Sequence, residues 1–103
     1  MEEITRKEEQ ILLAVHTLKD NAYLITIREQ IKNYTGKYYS VGTIYAPLNR
    51  LDINGFLHAK LVKTETGKPI KYYTITPKGY SALEEMRQMS REMWKNYSSP
   101  AFE

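Results

Sequence analysis

The chain has 103 residues, 42% of them hydrophobic, with a formal net charge of +3 and no cysteine. This composition predicts one small folded domain and excludes disulfides and thiolate metal sites. No apolar run approaches the ~20 residues that span a bilayer. The acidic N-terminus, MEEITRKEEQ, is unlike a signal peptide. Together with the absence of cysteine, these features lead us to expect a protein of the reducing cytoplasm.

The basic residues are concentrated in the middle of the chain. Between Arg28 and Lys78 there are nine lysines and arginines against three acidic residues, whereas the remainder carries six basic residues against nine acidic ones. A basic segment between acidic ends favours a polyanionic partner such as nucleic acid. Composition alone leaves open the alternative of an ordinary solvated surface.

Capping signals and apolar spacing predict the first two helices. Thr5–Glu8 is a capping box, in which the threonine and glutamate side chains accept each other's backbone N–H groups. Apolar residues at helical spacing follow it and predict helix 1 from Arg6 to about Lys19. The short apolar stretch Tyr23–Ile25 fits an isolated strand. A second capping box, Thr26–Glu29, predicts helix 2, which Thr35-Gly36 ends.

Helix 3 is the most informative element of the chain. Ser40 is a good N-cap for it, and Asn54-Gly55 supplies a left-handed stop. Its predicted inward stripe consists of Val41, Ile44, Tyr45, Leu48 and Leu51. Pro47 interrupts this pattern, because a proline this far into a helix removes one backbone hydrogen bond and crowds the preceding turn. We therefore expect helix 3 to be kinked there or irregular in its first turn.

A hairpin and a fourth helix complete the chain. Alternating residues predict a strand over Phe56–Val62, a turn over Glu65–Pro69 and a second strand over Ile70–Ile75. Thr76-Pro77 then caps and opens helix 4. The apolar positions of helix 4 recur mostly at every third or fourth residue: Tyr80, Leu83, Met86, Met89, Met93, Trp94 and Tyr97.

The residues that catalysis or metal binding would require are scattered. His16 and His58 fall in different elements, and His16 is expected to be a structural residue among the apolar side chains of helix 1. The acidic pairs Glu8-Glu9 and Glu84-Glu85 are interpreted as solvated charge on helix surfaces. The sequence contains no catalytic or phosphate-binding motif. We therefore predict that the protein is not an enzyme and uses neither a metal nor another cofactor.

Helix 3 and the lysine-rich hairpin together favour DNA binding. Five lysines occur from Lys60 to Lys78 with one acidic residue, and lysines neutralise phosphates. Arginine pairs with guanine and asparagine with adenine, while recognition helices read mostly with their N-terminal residues. By itself, helix 3 also fits a core helix with a polar outer face. The DNA-binding candidates are Ser40, Thr43 and Tyr45, which are preferred, then Asn49 and Arg50, with Lys60, Lys63, Thr66, Lys68 and Lys71 on the hairpin.

Five segments form a recognisable family pattern: Ile11–Leu18, Asn21–Ile31, Thr35-Gly36, Ser40–Leu57 and Tyr72–Gly79. Over about residues 9–83 the chain resembles the PadR family of winged-helix transcriptional regulators. It departs from many members at Leu24, where they have glycine, and at Ala46, where they have the proline that here is Pro47. The resemblance implies a mainly helical α+β fold, a winged helix-turn-helix of three helices and a two-stranded wing, with an added C-terminal dimerisation helix.

The resemblance also implies a role for each part of the chain. Residues 1–76 correspond to the DNA-binding domain, 77–97 to the dimerisation helix and 98–103 to a flexible tail. Small members of the family pack this helix against helix 1 across a twofold dimer, and in some of them a tryptophan lines a pocket for planar hydrophobic compounds. Trp94, with Met93 and Met89, is accordingly the candidate ligand site; an aromatic anchor in the interface is the simpler interpretation.

From these observations we expect a cytoplasmic homodimer that represses transcription from pseudo-palindromic double-stranded DNA. Its half-sites are expected ~34–36 Å apart, and a planar hydrophobic effector would release it. Two alternatives use the same fold: a module that binds an acidic protein through the hairpin, and a nonspecific architectural DNA binder.

Overall fold

The structure, a computed structural model, describes residues 3–100. Four α-helices and a two-stranded antiparallel hairpin follow in the predicted order, with a short 3₁₀ helix at Lys19–Asn21. The named elements are α1 (Arg6–Leu18), α2 (Leu24–Thr35), α3 (Val41–Ile53), β1 (Leu57–Lys63), β2 (Pro69–Ile75) and α4 (Pro77–Trp94). This is the expected winged helix-turn-helix with an added C-terminal helix. Residues 101–103 of the predicted tail lie outside the described residues.

The hydrophobic core lies between α1, α2 and α3. The apolar spacing that predicted the first two helices is confirmed, since Ile11, Leu12 and Val15 of α1 and Ile27 and Ile31 of α2 are buried. The base of the hairpin closes this core with Phe56, Leu57 and Tyr73. Because each fully buried aliphatic side chain contributes about 1.5–3 kcal/mol, this small cluster is the main source of stability.

The predicted caps of three helices are confirmed. In the capping box of α1, the Thr5 hydroxyl accepts the Glu8 N–H at 3.2 Å, and the Glu8 carboxylate accepts the Thr5 N–H at 2.8 Å. Ser40 accepts the Thr43 N–H at the start of α3. Thr76 accepts the Gly79 N–H at the start of α4. Each cap satisfies a backbone donor that the helix itself leaves free.

The predicted start of α2 is wrong by three residues, because a cap at Thr26 would begin the helix at Ile27. The helix begins at Leu24, and Thr26 lies in its first turn, where its hydroxyl accepts the Tyr23 N–H at 3.0 Å and donates to the Asn21 carbonyl at 2.6 Å. The expected strand at Tyr23–Ile25 is reduced to a single bridge between Tyr23 and Tyr72 of β2. Ala22 and Tyr23 are extended beside β2, where the Ala22 carbonyl accepts the Tyr73 N–H at 2.9 Å, and the chain turns into the helix directly after Tyr23.

The inward face of α3 differs from the predicted stripe. Ile44, Pro47, Leu48 and Leu51 are buried, whereas Val41 and Tyr45 are both 44% exposed. The helix runs without a break through Pro47, although the missing N–H removes the bond to the carbonyl four residues earlier. Compared with the predicted stripe, the buried face of α3 includes Pro47 in place of Val41 and Tyr45. Gly55, at φ +82°, supplies the predicted left-handed stop.

The helix α4 contacts the core near its start and extends away from it toward its C-terminal end. Leu83 and Met86 pack against the core, but Tyr80, Met89, Met93 and Trp94 are mostly exposed. His16, expected among apolar side chains, is instead exposed on α1 and meets the Tyr80 ring edge-on at 5.9 Å. Within residues 3–100, none of the helices combines the length and apolar character of a membrane-spanning segment.

Substitution of alanine for two helical glycines, Gly79 and Gly42, is predicted to change the free energy of unfolding in opposite directions. A Cβ at Gly79 would lie 2.3 Å from the Phe56 carbonyl oxygen and 2.6 Å from Ile75 Cγ2, so Gly79→Ala should lower the free energy of unfolding by about 1–3 kcal/mol. Apart from the neighbouring residues and the backbone of α3 itself, no heavy atom lies within 4 Å of a Cβ placed at Gly42. Gly42→Ala should therefore raise the free energy of unfolding by about 0.5–1 kcal/mol. Urea denaturation measures both, and effects of the same sign would contradict the packing described here.

Candidate nucleic-acid interface

The N-terminus of α3 presents a small exposed polar surface. The Ser40 and Thr43 hydroxyl oxygens lie 2.7 Å apart, and both residues are exposed, as are Gly42 and Tyr45. A helix N-terminus carries partial positive charge and free N–H groups, both of which favour a phosphate. Two of the preferred candidates, Ser40 and Thr43, are therefore brought together at the start of the helix. Tyr45, two residues after Thr43, is exposed on a different side of it.

Two cations of α2, Arg28 and Lys32, form a cluster beside this helix end, against the turn that joins α2 to α3. The Arg28 guanidinium lies 4.1 Å from the centre of the Tyr38 ring, and its Nε donates to the Tyr39 carbonyl. Lys32 Nζ lies 5.5 Å from the same ring. The Tyr38 hydroxyl donates to Glu29, and this hydrogen bond raises the pKa of the phenol. The cluster therefore adds positive charge next to Ser40.

Arg28 and Lys32 were not among the predicted DNA-binding residues. Their spacing of four residues on helix 2 places them on one face, and that spacing was the signal available in the sequence. The sequence did not indicate which side of helix 2 faces the turn before α3, because that depends on how the two helices pack.

Arg50 lies at the opposite end of α3 from the preferred candidates. Its Nε donates to Glu8 Oε2 at 2.8 Å, and its side chain is 56% exposed. Seven residues separate it from Thr43, which is about 10 Å along the helix axis. Asn49, also a candidate, is half-buried. The structure therefore separates these two residues from the exposed N-terminal surface.

The interpretation of Glu8 as solvated charge is wrong, since the residue is only 3% exposed. Burial, the largest single influence, raises the pKa of this carboxyl, but hydrogen bonds from Thr5 and Arg50 together outweigh it, and the pKa falls below its usual value. A lowered folded-state pKa means that the carboxylate stabilises the fold above its unfolded-state pKa. That contribution is lost as the pH falls through the folded-state pKa.

The two faces of the hairpin divide its lysines. Ala59 pairs with Tyr73, Leu61 with Lys71 and Lys63 with Pro69, so these residues share one face, while Lys60 pairs with Tyr72 on the other. Tyr73 marks the face directed at α3: burial raises the pKa of its phenol to about 12, and Asp52 and Tyr45 of α3 add to the shift. Lys63 and Lys71 therefore lie on the α3 side of the hairpin and Lys60 on the outer side.

The tip of the hairpin is an ordered turn. The Thr64 hydroxyl donates to the Lys68 carbonyl at 2.7 Å, and the Gly67 N–H donates to the Thr64 carbonyl at 2.9 Å. Gly67 has φ +85°, a conformation that favours glycine. The candidates Thr66 and Lys68 are exposed on this turn, where their side chains are accessible to a phosphate backbone.

The last lysine of the basic segment has a different role. Lys78 Nζ donates to the Asn54 carbonyl at 2.7 Å and lies 4.5 Å from the centre of the Phe56 ring. It thereby ties the start of α4 to the end of α3. Its charge is placed away from the hairpin tip, with the backbone that terminates α3.

The three ligand candidates do not come together within one chain. Trp94 lines an open groove of ≈ 630 Å³ between α1 and α4, together with Leu13, Tyr80 and Leu83. Met89 lines a different groove, with Ile4, Phe56 and Met86. Met93 is exposed on α4. Trp94 is thus the one candidate that lies in an aromatic groove.

The family model and similar solved structures indicate the same family. Residues 12–85 match the family described as Transcriptional regulator PadR-like family. A PadR-like transcription factor from Bacteroides fragilis is 33% identical, with a TM-score of 0.77 over 87% of each chain. A PadR-like regulator from Bacillus cereus is 28% identical, with a TM-score of 0.69 over 85% of this chain and 82% of that one. A PadR family regulator from Clostridium difficile is 24% identical, with a TM-score of 0.75 over 88% and 93%. No curated protein matches the chain significantly.

Because Lys71 and Lys60 lie on opposite faces of the hairpin, we predict that replacing them has unequal effects on DNA binding. Lys71→Ala should weaken binding to all DNA sequences and reduce the slope of log affinity against log salt by about 0.9, the value of one phosphate contact. Lys60→Ala removes the same charge from the outer face and should leave the slope nearly unchanged. Fluorescence anisotropy over a salt series measures both, and equal slopes for the two variants would contradict the assignment of faces.

Proposed function

The chain belongs to the PadR-like family of transcriptional regulators, and we propose that it is a repressor that binds a pseudo-palindromic operator as a homodimer. The observation that carries DNA binding is the exposed N-terminus of α3, with Arg28 and Lys32 on one side and the hairpin lysines on the other. The family is a class of regulators and not of enzymes. Such a regulator acts where the DNA is, which we take to be the cytoplasm.

In this proposal the N-terminal half of α3 enters the major groove. Thr43 and Tyr45 contact base edges, and Ser40 directs the helix N-terminus at a phosphate. The wing follows the DNA backbone through Lys63, Lys68, Lys71 and the hydroxyl of Thr66. Asn49 is a secondary contact because it is half-buried. Lys60 and Arg50 contribute less, since Lys60 lies on the outer face and Arg50 is paired with Glu8.

The homodimer is supported by the apolar side chains that one chain leaves exposed. Tyr80, Met89, Trp94 and Tyr97 on and after α4, and Leu13 on α1, are all exposed, and such a collection marks an interaction surface. A twofold axis uses the same surface on both subunits. Two copies of α3 would then contact half-sites ~34–36 Å apart.

The effector site is proposed at Trp94. In one chain its groove is open to solvent and is walled by α1 and α4, the two elements that the dimer would also use. A planar hydrophobic compound that stacks on the indole would therefore bind between subunits and change the separation of the two α3 helices. If Trp94 is only an interface anchor, the dimer part of the proposal stands without the effector.

Removal of one hydroxyl from the reading end of α3 should weaken operator binding. Thr43→Val keeps the shape of the side chain and should lower affinity for the operator by roughly five- to hundredfold, the range of one base contact. Thr74→Val, which removes an exposed hydroxyl from the outer face of the hairpin, is the matched control. Mobility shifts with the DNA upstream of the protein's own gene measure both variants.

Two results of that experiment would contradict the proposal. If the wild-type chain shifts no DNA at low salt, a protein partner becomes the better assignment. If unrelated DNA competes as well as the upstream DNA, the chain is a nonspecific architectural binder.

Trp94→Ala should shift the protein from dimer to monomer at micromolar concentration, because it removes a large apolar side chain from the proposed interface. Sedimentation equilibrium measures this, with His58→Ala on the exposed hairpin as the control. A monomeric wild type would contradict the dimer.

Trp94 is the single tryptophan, so quenching of its fluorescence by a planar probe such as pyrenesulfonate reports on the effector site. Quenching without loss of operator binding would contradict release by an effector.

A further inference from the structure

We propose that Glu8 and Arg50 act as a positioning pair for α3, so that discrimination between DNA sequences depends on a buried carboxylate that does not touch DNA. The inference rests on the proposed DNA-binding function and goes beyond it, since it assigns Arg50 a role through another residue. It also makes the first turn of α1 part of the recognition apparatus.

The carboxylate of Glu8 is shared between two helices. Its Oε1 accepts the Thr5 N–H at 2.8 Å and so completes the capping box of α1, while its Oε2 accepts Arg50 Nε at 2.8 Å. The two paired residues are 42 positions apart in the chain. One carboxylate thereby joins the start of α1 to the last turn of α3.

The same turn of α1 also contacts the segment that leads into α3. Lys7 Nζ lies 3.4 Å from the centre of the Tyr39 ring, and the Tyr39 carbonyl accepts a hydrogen bond from Arg28 of α2. Adjacent residues of α1 therefore contact α3 near both of its ends, through Tyr39 before it and Arg50 within it. Two attachment points restrain both the rotation of a helix about its axis and its translation along it.

The chemistry of the pair suits a positioning role. A charge-assisted hydrogen bond to a buried carboxylate is strong and directional, whereas exposed ion pairs on single helices contribute little. Loss of Arg50 leaves the buried Glu8 carboxylate without its charged partner. An amide in place of Glu8 offers one acceptor oxygen where the structure uses two, so Glu8→Gln must lose at least one of the two hydrogen bonds.

A double-mutant cycle of Glu8→Gln, Arg50→Gln and the double variant tests the pair. Affinity is measured for the operator and for unrelated DNA, at a temperature where circular dichroism shows each variant to be folded. Glu8→Gln alone should lower operator affinity roughly tenfold and leave affinity for unrelated DNA within about twofold. The double variant should be no worse than either single variant, because residues that act as a unit are not additive.

The matched control is Glu9→Gln, which removes a carboxylate from the same helical turn. Among residues 3–100, the ion pair of Glu9 is with Arg6, at 3.6 Å and within α1, so this variant should bind the operator like the wild type. If Arg50→Gln lowers operator affinity and Glu8→Gln does not, Arg50 reads DNA directly and the positioning role is overturned. It is also overturned if neither variant changes the preference for the operator, or if affinity for both DNAs falls in parallel.

Amide hydrogen exchange gives a readout that does not depend on DNA. Glu8→Gln should accelerate exchange at the end of α3, including the Asn54 N–H that donates to the Arg50 carbonyl at 2.9 Å, and leave α4 unchanged. Unchanged exchange in α3 would overturn the positioning role even if DNA binding fell. If the wild-type chain bound no DNA, the proposed function would fail, and this measurement would still decide whether the pair holds the helix.

Discussion

Burial of one face of α3 is the constraint on which the candidate DNA-binding surface depends. Ile44, Leu48 and Leu51 are fully buried, and side chains at these spacings share one face of a helix. Their burial sets the rotation of α3 about its axis. Because that rotation turns Val41 and Tyr45 to solvent, packing energy and surface chemistry are decided together, and any repacking of the core would also move the reading end of the helix.

In contrast to α3, the C-terminal helix α4 leaves much of its apolar side-chain surface exposed to solvent. Only its first half contacts the core, through Gly79, Leu83 and Met86, and the rest carries methionine and aromatic side chains into solvent. A domain of this size cannot bury all of its apolar surface. The apolar surface that the chain leaves exposed therefore lies on α4 and the adjoining face of α1, at a distance from the polar end of α3. In the proposed dimer, association and DNA contact thus use different surfaces.

Much of the fold was predictable because its signals are local. The caps at Thr5, Ser40 and Thr76 act on N–H groups three residues away, and the helix ends at Gly36 and Gly55 follow from their positive φ angles. The alternation of the hairpin and the spacing of apolar residues in α1 and α2 are equally local. The exposed polar positions Ser40 and Thr43 at the start of α3 were predictable for the same reason, since they follow directly from the position of its cap.

The sequence by itself thus determined the elements, their order and their family, because caps, turns and periodicity act over a few residues. Only the tertiary structure decided which residues far apart in the chain would meet. It joined Glu8 to Arg50, turned Tyr45 outward, and placed Lys71 but not Lys60 on the α3 side of the hairpin. The physical reason is that these outcomes depend on the angle and rotation at which whole elements pack, which no local pattern specifies.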